Sequence, residues 1–154
     1  MELLISKWLH IISATLLFGT GLGSAFYKWR TDKSGDIHAI AITNRNVVFA
    51  DWLFTTPTVV LQPLTGIWLA NLNGYNLFTP WILLSIILFM IAGACWLPVV
   101  YLQIRMRNIA QECLTNHTPL PQLYHQLNKL WFWLGIPAFS AIVVIFALMV
   151  GRPS

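Results

Sequence analysis

The sequence predicts an all-α integral membrane protein, a four-helix bundle that crosses the bilayer four times. Two observations of composition support this prediction: 57% of the 154 residues are hydrophobic and only 9% are charged. A soluble domain carries about 25% charged residues to cover its surface, so most of this surface must face lipid. The third observation is a set of apolar stretches that each reach the ~20 residues required of a membrane-spanning helix.

The predicted spans belong to one transmembrane domain that covers residues 1–154. Each span is a continuous apolar run, whereas the strands of a membrane barrel would alternate between polar and apolar residues. Helices are therefore the predicted spanning elements. In chain order the spans cover residues 3–27, 47–71, 81–103 and 130–150.

The basic residues predict the orientation of the spans. Lys and Arg are concentrated in the connections after the first and third spans, whereas residues 72–80 contain none. By the positive-inside rule the two basic connections are cytoplasmic, and both termini are then periplasmic. The nine Lys and Arg are too scattered for a nucleic-acid surface, so the lipid bilayer is the predicted partner of these charges and nucleic acid is not.

A cleavable secretory signal is the alternative interpretation of the N-terminus. Lys7 precedes an apolar run that ends in the small residues 23–25, as in such signals. Cleavage would leave three spans and would place Lys28 and Arg30 outside, against the charge rule. The charge pattern therefore favours a first span that stays in the membrane.

His10 is the one histidine, of four, that falls inside a predicted span. A polar side chain that faces lipid costs a few kcal/mol, so it needs either a partner or a function. A neutral imidazole can ligate a haem iron, relay a proton or bond a neighbouring helix. His10 is therefore a candidate metal and cofactor ligand, and the alternative is a hydrogen-bonded packing residue.

Gln62 precedes Pro63 in the outer half of the second span. At 1.5 Å per residue, His10 and Gln62 lie roughly 10 and 13 Å from the outer ends of their spans. The two side chains are therefore predicted to share an outer-leaflet pocket. Gly19 and Gly23 would give that pocket a flat wall for a porphyrin or quinone ring, or would instead allow another helix to approach closely.

Asp51 lies about one turn inside the second span, at its basic end, and its charge needs a partner. Several cations lie near the inner ends of the other spans, among them Lys28 and Arg105. Asp51 and Arg105 are the predicted structural ion pair. A carboxylate that carries protons is the alternative.

The sequence resembles one family in four phrases, KWLHIISATLLFGTGLGSAFYKWR, ADWLFTTPTVVLQPLTGIWLA, GACWLPVVYLQIRMRNIA and LWFWLGIPAFSAIVVIFALMV. It is a bacterial family of four-span integral membrane proteins of unknown function, and the resemblance covers nearly the whole chain. The resemblance implies a multi-pass protein of the bacterial cell inner membrane. It implies no activity.

A more distant likeness is confined to the start of the chain. KWLHIISATLLFGTG is similar to the first span of haem-containing protoporphyrinogen oxidases and of copper-resistance membrane proteins. The histidine of that span serves the haem in the oxidases, and by resemblance this role carries over to His10 alone. A second axial ligand would have to be a methionine, Gln62, water or a second subunit.

Three functions are consistent with these residues. The favoured hypothesis is a small membrane protein that binds haem b or a quinone at His10 and acts in redox chemistry or tetrapyrrole handling. The first alternative is a non-enzymatic accessory or structural subunit, in a larger membrane complex or a homo-oligomer. The second is an oligomeric transporter of a small solute or ion, centred on Asp51. The sequence contains no P-loop, GxSxG, HExxH or EF-hand pattern and identifies no substrate or electron donor.

Overall fold

The computed structural model describes residues 1–152, and every regular element in that range is helical. The elements are α1 (Glu2–Ser34), α2 (Ile37–Ala50), a π-helical turn (Asp51–Thr55), α3 (Thr56–Leu72), α4 (Pro80–Asn116) and α5 (Gln122–Gly151). Because α2, the π turn and α3 are continuous, the helices form four rods that are each long and apolar enough to cross a membrane. The prediction of an all-α, four-helix membrane bundle is confirmed.

Each rod is longer than a bilayer requires. The 33 residues of α1 extend about 50 Å at 1.5 Å per residue, against a hydrocarbon core of about 30 Å. The predicted spans lie inside the rods, and the surplus residues extend at one end, where the turn at Gly35 and the loop 117–121 lie. We call this the basic end, because it carries most of the Lys and Arg. The opposite end, with the loop 73–79, is the terminal end.

The turn at the basic end explains why α1 and α2 lie side by side. Gly35 ends α1 with φ of 70°, a left-handed conformation that glycine adopts without a Cβ clash. Asp36 then caps α2, since its carboxylate accepts hydrogen bonds from the backbone N–H groups of His38 (2.9 Å) and Ala39 (3.4 Å). The chain therefore reverses within two residues.

The largest apolar core also lies toward the basic end. Its buried side chains come from α2, α4 and α5, and they are Ile40, Ala41, Val99, Leu102, Met106, Ala110, Tyr124 and Trp131. A smaller cluster of Ala70, Trp81 and Ile82 lies at the terminal end. Apolar burial stabilises packing where water surrounds the helices, whereas in lipid the helices associate through close packing and polar contacts.

Helix α1 packs mainly along the rod formed by α2 and α3. Its contact with α5 includes Phe18, whose ring stacks on Phe139 with 4.8 Å between ring centroids. In its most apolar 18-residue window only 6% of the residues are buried. Most of α1 therefore faces lipid, and the side that does not is the one that carries the candidate site.

Candidate functional site

The seam between α1 and α3 is polar. The buried residues of α1 are Ser6, Ser13 and Lys28, and those of the π turn and α3 are Asp51, Thr55, Thr58, Gln62, Thr65 and Ala70. All of them except Ala70 are polar or charged. The three- and four-residue spacing along α3 places these side chains on one helix face. Polar side chains of α1 and α3 are therefore kept out of lipid along this seam, whereas Lys28, Asn44, Ser85 and Gln103 are polar residues buried outside it.

His10 lies on this seam opposite Thr65. Its Nδ1 atom is 2.8 Å from the Thr65 hydroxyl oxygen, and that oxygen is 2.7 Å from the backbone carbonyl oxygen of Leu61. Two oxygens at this distance need a proton between them, so the hydroxyl donates to Leu61. The hydroxyl has no second proton to give. Nδ1–H of His10 therefore donates to Thr65, and the lone pair of the neutral imidazole lies on Nε2.

The Nε2 atom of His10 has no hydrogen-bond partner among residues 1–152. Within residues 1–152 the imidazole ring makes its hydrogen bond to Thr65, through Nδ1. The side chain is only partly buried. The ring lies against Gly66, where an added Cβ would come within 3.4 Å of Cε1. A histidine that donates one N–H to the protein and leaves the other nitrogen free has the arrangement that metal-ligating histidines use.

Gln62 lies next to His10, and its amide is turned toward the backbone of α1. Its Nε2 atom donates a hydrogen bond of 3.1 Å to the backbone carbonyl of His10. The side chain is buried. In a membrane such an interhelical hydrogen bond stabilises the contact by about 0.6 kcal/mol on average. Gln62 therefore helps to hold α1 and α3 together.

Gly19 and Gly23 do not form a wall beside His10 within this chain. A Cβ atom added at either glycine would meet nothing within 4 Å. They lie about 13 and 20 Å from His10 along the helix axis, at 1.5 Å per residue. The close helix approach predicted for this glycine pair is therefore absent from the part of the chain that the structure describes.

The predicted ion pair between Asp51 and Arg105 is not formed. Arg105 is exposed, and its Nη1 atom lies 3.5 Å from the hydroxyl of Tyr101. Asp51 contacts Gln103 instead. Residues two apart on a helix point about 200° apart, so Arg105 points outward when Gln103 points inward.

Sequence reasoning missed a buried polar cluster at the basic end. The Lys28 side chain is 0% exposed, and its ammonium donates to Asp32 Oδ2 and to the Tyr124 hydroxyl, both at 2.9 Å. The Tyr124 hydroxyl accepts a second bond from Asn44 Nδ2 at 2.8 Å and donates to Asp32 Oδ1 at 2.7 Å. Every capacity of this hydroxyl is therefore used. We call Lys28, Asp32, Asn44 and Tyr124 the basic-end cluster.

One signal could have found part of this cluster. Lys28 and Asp32 are four residues apart in a helix, the spacing at which opposite charges meet. The contribution of Tyr124 has no local signal, since Tyr124 lies 96 residues from Lys28 and 80 from Asn44 along the chain. Its place depends on how α5 packs against α1 and α2.

Comparisons with known proteins agree with the membrane architecture. A family model described as a predicted integral membrane protein, DUF2269, matches residues 4–153. This match agrees with the resemblance of the whole chain and lends no support to the likeness of the first span to haem-containing oxidases or copper-resistance proteins. No curated protein and no solved structure matches the chain.

Proposed function

The chain belongs to the DUF2269 family of predicted integral membrane proteins, and we propose that it is a small redox or tetrapyrrole-handling protein of the bacterial inner membrane. In this proposal His10 binds a haem or a quinol through Nε2. The observation that carries the proposal is the position of the imidazole, with Nδ1 2.8 Å from the Thr65 hydroxyl oxygen and Nε2 without a hydrogen-bond partner within residues 1–152. The bonds of that hydroxyl assign the proton to Nδ1 and the lone pair to Nε2. The basic connections lie at the opposite end of the spans from His10, so the positive-inside rule supports placing this site in the outer leaflet.

The lone pair on Nε2 fits two kinds of ligand. It can coordinate the iron of haem b, or it can accept a hydrogen bond from a quinol hydroxyl. An oxidised quinone presents only carbonyl oxygens, which accept hydrogen bonds and so do not match a nitrogen without a proton. The quinone hypothesis therefore becomes a quinol hypothesis.

A bare metal ion fits the site poorly. Residues 1–152 hold no group of three or more His, Cys, Asp and Glu side chains that could surround a metal, whereas protein zinc sites need three or four protein ligands. Haem differs because the porphyrin supplies four of the six iron ligands, so one histidine is a sufficient protein contribution. The single free nitrogen favours haem over a bare transition-metal ion.

An absorption spectrum tests the haem form of the proposal. The protein is purified in detergent from cells supplied with haem precursor, and we expect a Soret band that is lost in His10→Ala. His38→Ala is the matched control, since His38 is exposed and lies outside the seam. That variant should keep the band at full intensity.

The quinol form has its own readout. Solvent extraction of the same preparation should release about one quinol per chain from the wild type and from His38→Ala, and none from His10→Ala. A preparation with neither a Soret band nor a bound quinol, in native membranes as well as in detergent, would refute the proposal.

A structural subunit is the second candidate, and the open glycine face of α1 favours it. Gly19 is exposed with open space at its Cβ position, and Gly23 has the same open space. Faces of small residues bring transmembrane helices together, so this face would pack on a helix outside the chain. Gly19→Leu should then reduce the mass of the native complex, whereas Ile11→Leu on the same exposed helix should not. An unchanged complex in Gly19→Leu would exclude this use of the face.

A further inference from the structure

Asp51 occupies an irregular turn inside the membrane rod. It is the first residue of the π turn, in which the backbone N–H of Thr56 donates to the carbonyl of Asp51 five residues earlier. The cause is Pro57, which has no N–H to donate and whose ring crowds the carbonyl four residues before it. The turn widens to relieve that clash, and single π turns of this kind often lie at functional sites.

The orientation of the Gln103 amide decides which hydrogen bond Asp51 receives from α4. Trp131 Nε1 is a donor only, so it must face the amide oxygen of Gln103, which accepts from it at 3.2 Å. The amide nitrogen then donates to Asp51 Oδ2 at 3.1 Å. Asp51 thus accepts a hydrogen bond from an uncharged donor on α4.

No cation neutralises Asp51 among the described residues. Lys28 of α1 is bonded to Asp32 and Tyr124, and the Lys28–Asp32 pair is the salt bridge found within residues 1–152. Arg45 of α2 and Arg105 of α4 are exposed, and α3 carries no charged side chain. A carboxylate that is 9% exposed and has no counter-ion is strongly destabilised relative to the neutral acid.

Two further polar atoms are buried without completing a hydrogen bond within residues 1–152. They are Thr55 Oγ1, one turn along the rod from Asp51, and Trp96 Nε1 of α4. Thr55 itself is only 5% exposed.

From this geometry we propose that Asp51 is an exchangeable proton-binding site within the membrane, in which the buried carboxyl is neutral and accepts a hydrogen bond from Gln103. Asp51 lies on the same polar face of the rod as Thr58, Gln62 and Thr65, and its carboxyl contacts Gln103 of α4. The proposal goes beyond the function proposed above, and it does not depend on any ligand at His10.

Infrared spectroscopy of the full chain in lipid tests the proposal directly. A protonated carboxyl has a carbonyl stretch that is separate from carboxylate bands and shifts when its proton exchanges in D2O. The chain has only five acidic residues, and we expect one protonated band at pH 7 that shifts in D2O. The band should disappear completely in Asp51→Asn and persist in Glu112→Gln, whose carboxyl is exposed.

Two more variants keep the test decisive. Asp51→Glu retains a carboxyl and should retain a band at a displaced frequency, even where the asparagine variant fails to fold. His10→Ala should leave the band unchanged, which separates this proposal from ligand binding at His10. A wild-type spectrum without a protonated carboxyl at pH 7, or with one that survives Asp51→Asn, would overturn the proposal.

Discussion

The basic-end cluster and the His10 site each join polar side chains of helix α1 to side chains of other helices, yet they differ in completeness. At the basic end the Tyr124 hydroxyl uses its one donor and both acceptor positions, and the Lys28 ammonium is enclosed with Asp32. At His10, one ring nitrogen is bonded to Thr65 while the other keeps a free lone pair. The first network is closed, and the second is open on one side.

The difference separates two uses of polar groups in a membrane bundle. A closed network of charges fixes how helices fit together, because any other arrangement strands a buried charge. An open position has no such structural role, since leaving one nitrogen unbonded does not stabilise the fold. Stability should therefore depend most on the basic-end cluster, and ligand binding most on the surroundings of His10.

The largest effect should come from removal of one charge at the basic end. Asp32→Asn leaves the fully buried Lys28 ammonium without an anion, and breaking a buried pair in this way costs about 3 kcal/mol or more. We expect the free energy of unfolding in detergent, measured by denaturant titration, to fall by this amount. Asp36→Asn is the control, because Asn caps a helix about as well as Asp and Asp36 is exposed.

Removal of both charges sharpens the same comparison. In the double variant Lys28→Met with Asp32→Leu no charge is stranded, and apolar replacements of buried pairs are often neutral or stabilising. The double variant should therefore regain part of the stability that Asp32→Asn loses, because the buried Tyr124 hydroxyl still loses its acceptor at Asp32. If it is as unstable as the single variant, the cluster stabilises the fold by something other than charge pairing.

An intermediate effect should follow from loss of the group that orients His10. Thr65→Val removes the acceptor of the Nδ1–H bond while keeping the shape of the side chain, and loss of such an orienting partner typically lowers affinity by 10- to 100-fold. We expect a drop of roughly 10-fold in affinity for haem or quinol, measured by titration.

The chain provides a matched control for Thr65→Val. Thr58 is buried on the same helix and donates to the carbonyls of Phe54 and Thr55, and it makes no hydrogen bond to the His10 ring. Thr58→Val should leave the affinity unchanged. Equal losses in both variants would show that the seam responds to any lost hydroxyl, and would remove Thr65 from its orienting role.

The architecture was predictable because it depends on composition and apolar length, which are local properties. The four spans and the proximity of His10 and Gln62 follow from counting residues along helices. The partners of Asp51 and Lys28 were not predictable in this way, since both depend on which way a helix is rotated. Arg105 and Gln103 are two residues apart on α4, and only the packed bundle shows that Gln103 faces Asp51 while Arg105 faces outward.

The smallest effect tests whether Gln62 only holds α1 and α3 together or also contacts the bound haem or quinol. Gln62→Met removes the bond to the His10 carbonyl and should lower the free energy of unfolding by about 0.6 kcal/mol, the average for interhelical hydrogen bonds in a membrane protein. Affinity for haem or quinol should stay within twofold of the wild type, because the variant leaves the Thr65 contact and the Nε2 lone pair intact. Gln126→Met, at an exposed position, should change neither quantity. A tenfold loss of affinity in Gln62→Met with little loss of stability would instead make Gln62 part of the ligand site. The ligand would then contact both His10 and Gln62.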